Sequence, residues 1–242
     1  MVEFFNSVTR VNEHSVEKRK RAYVIAREIE AMEYVRNNTT IPIPEILSQE
    51  PYTSPDEKIS FRMRYIPGVS LRRAWKAMSK EKRDNVCAEL RGYIQQLRDL
   101  SPPDSVLIGS VSGGPVVDQR VNGGDPCGPF ERESSFNNIL LGVLVNRPDS
   151  RRLEEARSTQ SNNHRIVFTH GDLGSQNILV DPEAGRVNAI IDWEMAGWMP
   201  EYWEYRKARY LGYNNEVWVP IVDRFIPKYE QEWAADTALE YC

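Results

Sequence analysis

The chain has 242 residues, 40% of them apolar and 27% charged, which indicates a folded core rather than a disordered chain. The net charge of -4 argues against nucleic-acid binding, because nucleic-acid binders normally carry a basic excess. No apolar run approaches the roughly 18 residues of a membrane span, and the N-terminus lacks signal-peptide features, so we expect a cytoplasmic protein with no membrane partner.

The first predicted element covers residues 15–36, as a helix or as a strand that passes into a helix. Apolar residues recur there at helical spacing, namely Ile25, Ile29, Met32 and Val35. Of the three glutamates on this helix, only Glu28 falls inside the apolar stripe. An unpaired buried charge is costly, so Glu28 is expected to form an ion pair. A position at the stripe edge that reaches solvent is the alternative.

Two further elements are predicted before residue 101. Apolar residues alternate with polar ones over residues 59–65, which is typical of a half-buried strand. The turn residue Gly68 follows this strand. Ser79 is predicted to be the N-cap of an amphipathic helix that reaches about Leu100.

The middle of the chain carries weaker patterns. Residues 101–130 are rich in Pro and Gly and predict an ordered loop or a set of turns. Residues 146–164 are polar and charged, and they predict an exposed or mobile insertion. A short apolar strand is predicted at residues 166–168. From Met199 onward the chain is predicted to be helical, with many aromatic residues.

A β-hairpin is predicted from two short apolar runs, residues 178–180 and 187–191, and the turn-forming sequence between them. Folding about this turn would place residue 180 near 187 and residue 178 near 189. The open end of the hairpin then carries Asn177 on one strand and Asp192 just past the other.

The open end of this hairpin is a candidate metal site. Opposed residues in an antiparallel ladder have Cα atoms about 5 Å apart, so the Asn177 amide oxygen and the Asp192 carboxylate could share one cation. Oxygen ligands of this kind suit Mg²⁺, which also takes phosphate oxygens. Asp172 lies five residues before Asn177, where a carboxylate can accept the proton of an attacking hydroxyl. Taken singly, each of these residues is more simply explained as a turn or cap residue. The three together follow the order and spacing of the catalytic and metal-binding residues of kinases.

These motifs also carry a family resemblance. His170-Gly171-Asp172 with Asn177, followed by Ile190-Ile191-Asp192-Trp193-Glu194, resembles the aminoglycoside phosphotransferase family of the protein-kinase-like superfamily. The run from Ala196 to Tyr205 is similar to the fungal branch of that family. The resemblance covers most of the chain.

The resemblance implies an α+β, two-lobed protein-kinase-like fold. An N-terminal nucleotide lobe over residues 1–66 would end at the hinge, and a mainly helical catalytic and substrate lobe would cover residues 67–242. The implied activity is transfer of the ATP γ-phosphate to a small-molecule hydroxyl, with ATP and Mg²⁺ as cofactors. Asp172 is implied as the catalytic base or as the residue that orients the acceptor, Asn177 and Asp192 as metal ligands, and His170 as a structural brace of the loop.

The nucleotide side is predicted from the same resemblance. Lys18 lies ten residues before Glu28, as the phosphate-binding lysine does in similar sequences, and would pair with that glutamate. Lys18 also belongs to a basic run of four residues, which equally predicts a solvated face. The hinge segment, Arg64, Tyr65 and Ile66, is expected to bind adenine mainly through its backbone.

The acceptor side is less defined. Gly171 stands where protein kinases have arginine, and no long activation segment follows Asp192, so a small-molecule hydroxyl acceptor is favoured over a polypeptide. Glu194 is the candidate substrate contact, whereas Trp198 and Trp203 more simply pack the helical lobe. The sequence leaves the oligomeric state open.

The first glycine of the chain is Gly68, although a phosphate-covering hairpin needs glycine for close backbone approach. We therefore expect a truncated N-terminal lobe. Two hypotheses follow: an ATP- and Mg²⁺-dependent small-molecule kinase, or a kinase-like pseudoenzyme or binding module without efficient ATP turnover.

Overall fold

The computed structural model describes residues 7–102, 108–142, 161–211 and 217–240. The chain divides into two compact units, Met1–Tyr93 with Leu173–Glu194 and Ile94–Asp172 with Met195–Cys242. The predicted lobe boundary at Ile66 stays a prediction, since the first unit also takes in the later segment that carries the hairpin. Most of the predicted insertion at residues 146–164 lies outside the described residues.

The strands, in chain order, are β1 (Val8–Arg10), β2 (Ser15–Arg21), β3 (Ile46–Gln49), β4 (Lys58–Arg64), β5 (Val69–Ser70), β6 (Ile166–Thr169), β7 (Ile178–Asp181), β8 (Arg186–Ile190) and β9 (Gly197–Pro200). The helices are α1 (Ala22–Asn38), α2 (Leu71–Ala74), α3 (Lys80–Asp99), α4 (Glu133–Gly142), α5 (Trp203–Leu211), α6 (Trp218–Val222) and α7 (Glu230–Glu240).

The first unit contains a four-stranded antiparallel sheet in the order β1-β2-β4-β3. Helix α1 follows β2 directly, which confirms the predicted strand-to-helix passage. The apolar stripe of α1 is buried, as its spacing predicted. Helix α3 begins after Ser79, whose hydroxyl accepts a hydrogen bond from the Lys82 N–H at 3.3 Å, so the predicted N-cap is confirmed.

The predicted hairpin forms as β7 and β8, and β5 adds a third strand in the order β5-β7-β8. Val180 pairs with Val187 as expected, but Ile178 pairs with Ile190 and not with residue 189. The predicted register was wrong here because the pairing shifts by one residue between Leu179 and Val180, the effect of a β-bulge.

The second unit contains a two-stranded antiparallel sheet of β6 and β9. The prediction of helix from Met199 onward was wrong at its start, because Met199 lies in β9 and helix begins only at Trp203. All four residues of β9 are buried, so this strand shows no alternation that a sequence pattern could reveal.

The largest buried side chains of the second unit are aromatic. The Phe136 and Trp203 rings pack edge to face with centroids 5.1 Å apart. Trp198 and Trp203 are both buried, so their predicted packing role is confirmed. The described part of the Pro/Gly-rich stretch is an ordered set of turns closed by short bridges such as Ile108 with Phe130. None of the helices in the described ranges has the length and apolar character that crossing a membrane requires.

Candidate active site

A cavity of about 230 Å³ lies within the first unit. Seven of the predicted site residues line it: Lys18, Glu28, Arg64, Tyr65, Ile66, Asn177 and Asp192. Apolar side chains such as Val16, Met63 and Leu179 line the same cavity. One space therefore combines an apolar wall, a hinge-like segment and a polar end, which is the usual character of a small-molecule site.

Lys18 occupies the polar end of this cavity. Its neighbours Arg19 and Arg21 are exposed, but Lys18 points to the other face of β2 and is 3% exposed. Its Nζ lies 2.8 Å from Glu28 Oε1, 2.5 Å from Asp192 Oδ1 and 3.3 Å from Glu194 Oε2. Because side chains alternate along the strand, Lys18 lies on the buried face of β2. It does not lie on the solvated face, which was the alternative that the basic run predicted.

Glu28 is the buried partner of Lys18 on helix α1. Burial raises the pKa of Glu28 to about 7, and Lys18 opposes that effect. Burial also lowers the pKa of Lys18, but Glu28, Asp192 and Glu194 together outweigh it and hold that pKa above its ordinary value. Lys18 is therefore an ammonium ion at neutral pH.

Asn177 and Asp192 flank the open end of the β7–β8 hairpin. The Ile191 N–H donates a hydrogen bond to the Asn177 carbonyl at 3.0 Å, which closes that end of the ladder. Asp192 has a φ of 70°, a left-handed conformation that Asp adopts more readily than most residues and that recurs at functional sites. The two side chains offer the oxygen ligands that Mg²⁺ prefers, so the donor chemistry fits this ion.

Glu194 meets the same cluster. Carboxylate oxygens of Glu28, Asp192 and Glu194 lie within 4.8 Å of one another. Lys20 also forms an ion pair with Glu194. The predicted contact between Glu194 and the acceptor stays a prediction, since the partners observed for Glu194 are the two lysines of β2.

The predicted hinge segment, residues 64–66, lies at the other end of β2. Ser15 pairs with Arg64, and the Tyr65 N–H donates to the His14 carbonyl at 2.8 Å. The β1–β2 hairpin therefore turns at residues 11–14, beside the hinge. The Arg10 guanidinium lies 4.1 Å from the centroid of the Tyr65 ring, a cation–π contact that packs the hairpin onto the hinge.

His170 and Asp172 belong to the second unit. His170 is fully buried, and its Nδ1 accepts a hydrogen bond from the Asp172 N–H at 3.1 Å. Glu204 of helix α5 accepts hydrogen bonds from the His170 N–H at 2.6 Å and the Gly171 N–H at 3.4 Å. The side chains of His170 and Glu204 thus hold the backbone of the loop that carries Asp172.

The sequence did not predict this role of Glu204, because 34 residues separate it from His170 and no local pattern links them. Burial raises the pKa of Glu204 to about 7, against the lowering effect of the two N–H donors. Gly171 has a φ of 75°, and a Cβ built there would lie 2.6 Å from the Met195 carbonyl oxygen. Glycine is thus required at this position for backbone reasons.

The sequence profile of the Phosphotransferase enzyme family matches residues 10–239. The chain belongs to this family. Membership in the fungal branch stays a prediction. No curated protein sequence matches the chain.

Three solved structures show the fold of this phosphotransferase-family chain. The GDP complex of aminoglycoside 2'-phosphotransferase-IIIa matches with a TM-score of 0.61 at 14% identity, covering 96% of this chain and 79% of that one. Aminoglycoside-3'-phosphotransferase of type VIII gives 0.59 at 17% identity, with coverages of 93% and 84%. APH(3'')-Id from Streptomyces rimosus, with ADP and streptomycin, gives 0.56 at 16% identity, with coverages of 95% and 87%. The α+β, two-lobed protein-kinase-like fold is confirmed.

Proposed function

We propose that this phosphotransferase-family protein transfers the γ-phosphate of ATP to a hydroxyl of a small molecule, with Mg²⁺ as the metal. The observation that carries the proposal is the meeting of Lys18, Glu28 and Asp192 at one end of the cavity that the hinge segment also lines. A kinase needs a lysine on the phosphates, a helix glutamate that holds it and an aspartate for the metal.

Each residue has a defined task in this proposal. The backbone of Arg64 to Ile66 would bind the adenine ring, and Lys18, oriented by Glu28, would bind phosphate oxygens. Asn177 and Asp192 would hold Mg²⁺, which supplies charge neutralisation for the transferred group. Asp172 would orient the acceptor hydroxyl and accept its proton.

The acceptor is proposed only as a class, a small molecule with a free hydroxyl. Related structures were solved with streptomycin or with hygromycin B, which are the ligands of those proteins. A shared fold hosts many acceptors, so those ligands do not identify the acceptor of this chain.

The test is ATP turnover measured over a panel of hydroxyl-bearing metabolites with Mg²⁺. We expect turnover of at least one acceptor and a loss of about 10²–10⁴-fold in kcat for Asp172→Ala, the usual contribution of a general base. Asp125→Ala is the matched control, because Asp125 is an exposed aspartate in the same unit. Equal turnover by wild type and Asp172→Ala would refute the assigned role.

The alternative is a kinase-like pseudoenzyme or binding module without efficient ATP turnover. The direct contact of Lys18 with Asp192 at 2.5 Å favours it, because this contact competes with the metal for the carboxylate. Thermal unfolding with and without millimolar Mg²⁺-ATP distinguishes the active phosphotransferase from the pseudoenzyme or binding module. A bound nucleotide at a hundred times its Kd would stabilise the protein by about 2.7 kcal/mol, whereas no stabilisation would favour the alternative.

A further inference from the structure

Strand β2 presents two lysines to the same side. Residues two apart on a strand share a face, so Lys20 follows Lys18 on the side that faces the polar end of the cavity. Both ammonium groups contact the same atom, Oε2 of Glu194, Lys18 at 3.3 Å and Lys20 in a closer ion pair. Two positive charges therefore converge beside Asp192, whose contact with Lys18 completes the cluster.

The two lysines are held very differently. Lys18 is 3% exposed and touches Glu28 and Asp192 as well as Glu194, so moving its ammonium would leave the buried Glu28 carboxylate unpaired. Lys20 is 28% exposed, and its ion pair with Glu194 is accessible to water. Partly exposed pairs contribute little to stability, so Lys20 can leave Glu194 at small cost.

The order of residues along β2 places Lys20 beyond Lys18, away from the hinge segment. Ser15 pairs with Arg64 at the hinge, Lys18 lies three residues further along β2, and Lys20 lies two residues beyond that. Each residue advances a strand by about 3.3 Å, so Lys20 is further from the hinge than Lys18. In the proposed site, a nucleotide with its base at the hinge segment and its phosphates at Lys18 would extend in this direction.

We propose that Lys20 is a second phosphate-binding lysine, which exchanges the Glu194 carboxylate for the terminal phosphate of the bound nucleotide. Glu194 is then the resting partner of Lys20 rather than a contact of the acceptor. This inference rests on the proposed function, because it requires a nucleotide in the cavity. A terminal phosphate carries more negative charge than a carboxylate, so charge-assisted hydrogen bonds to it favour the exchange.

The first experiment measures the Kd of the full chain for Mg²⁺-ATP and for AMP by calorimetry. We expect Lys20→Met to weaken Mg²⁺-ATP binding about tenfold and to leave AMP binding within about twofold, because AMP lacks the terminal phosphate. Lys20→Arg should retain most of the ATP affinity. Lys58→Met is the matched control, an exposed lysine on the neighbouring strand β4.

The outcomes of this experiment are distinct. An equal loss for ATP and AMP, or no loss for either, overturns the role of Lys20 while leaving the nucleotide site in place. Wild-type protein that binds neither nucleotide overturns the proposed function and the role of Lys20 with it.

The second experiment separates phosphate binding from a purely structural tether between β2 and Glu194. It measures ATP binding without Mg²⁺, which removes any effect of Glu194 on the metal. A resting partner competes with phosphate, so Glu194→Gln should tighten ATP binding severalfold, and this gain should vanish in the Lys20→Met background. A tether predicts that both single substitutions weaken binding. Changes of the same sign, or a gain that persists without Lys20, would overturn the proposal.

Discussion

Each unit of the molecule contains a buried lysine–carboxylate pair, and the two pairs are nearly identical by distance and burial. In the first unit, Lys18 Nζ lies 2.7 Å from Glu28 Oε2, and the two side chains are 3% and 1% exposed. Lys207 and Asp118 lie 2.7 Å apart in the second unit, with side chains 4% and 1% exposed. Burial and ion pairing therefore do not by themselves distinguish a functional pair from a structural one.

What differs is the surroundings of each lysine. Lys18 and Glu28 line a cavity, and Lys18 also touches Asp192 and Glu194. Lys207 packs against the sulfur of Met195 at 3.7 Å and is a charged neighbour of the buried Glu204. A charge that opens onto a cavity can exchange its partner for a ligand, whereas a charge packed among protein atoms can only hold them together. We therefore infer that the first pair serves binding and the second serves stability.

The largest expected effect comes from removing each lysine in turn. Lys18→Met and Lys207→Met should both lower the free energy of unfolding by about 3–5 kcal/mol, because each leaves a buried carboxylate unpaired. Mg²⁺-ATP should still stabilise Lys207→Met but should no longer stabilise Lys18→Met. Urea unfolding with and without the nucleotide measures both quantities.

Paired substitutions show whether a variant loses nucleotide binding only because it no longer folds. Lys18→Met with Glu28→Leu, and Lys207→Met with Asp118→Leu, remove the stranded carboxylate and should recover much of the stability. Only the variant that keeps Lys18 should then bind nucleotide. Loss of nucleotide stabilisation in the Lys207 double variant would contradict the assignment.

A smaller effect is expected at Glu204, which belongs to the second unit and holds the His170–Gly171 backbone. Its pKa is raised to about 7 by burial, and its charged neighbours are Asp172 and Lys207. The folded protein keeps this proton up to about pH 7, while the unfolded chain releases it near pH 4.5. Between these values the folded state binds more protons, so stability falls as pH rises, by about 3 kcal/mol in total.

The Glu204→Gln variant tests this pH dependence, because glutamine cannot titrate. The stability advantage of wild type over the variant should shrink between pH 4.5 and pH 7 and stay constant above that range. Urea unfolding at several pH values measures it. Glu183→Gln, at a position 92% exposed, is the control. If the free energies of unfolding of wild type and Glu204→Gln change with pH in parallel, Glu204 is not the source of the pH dependence.

The sequence predicted the positions of Asn177 and Asp192 better than the contacts of the loop that carries Asp172. Asn177 and Asp192 flank one hairpin, so their proximity followed from local pairing, even though the bulge changed the register between them. Lys18 was ambiguous because a basic run looks solvated in sequence, and only the pairing of β2 decides which of its residues face inward. Glu204 could not be predicted, since its hydrogen bonds to the distant His170 depend on tertiary packing.

The overall fold was predictable for a different reason in each unit. The alternating and helical patterns of β4 and α1 are amphipathic, and such periodicity is visible in a single sequence. Strand β9 is buried on every residue, so its sequence resembles that of a core helix. In the second unit, periodicity alone did not predict the architecture. The family resemblance did.

The smallest expected effects come from two glycines, one in each unit. Gly171→Ala should cost about 2 kcal/mol, because its φ of 75° disfavours a side chain and its Cβ would meet the Met195 carbonyl oxygen. Gly92→Ala on helix α3 should instead stabilise the protein by about 0.5–1 kcal/mol, since nothing lies within 4 Å of its Cβ. Turnover should fall only in Gly171→Ala, because only that glycine shapes the loop that carries Asp172. Urea unfolding and kcat measured together decide the point, and a Gly171→Ala variant with wild-type stability and kcat would show that the loop tolerates a side chain there.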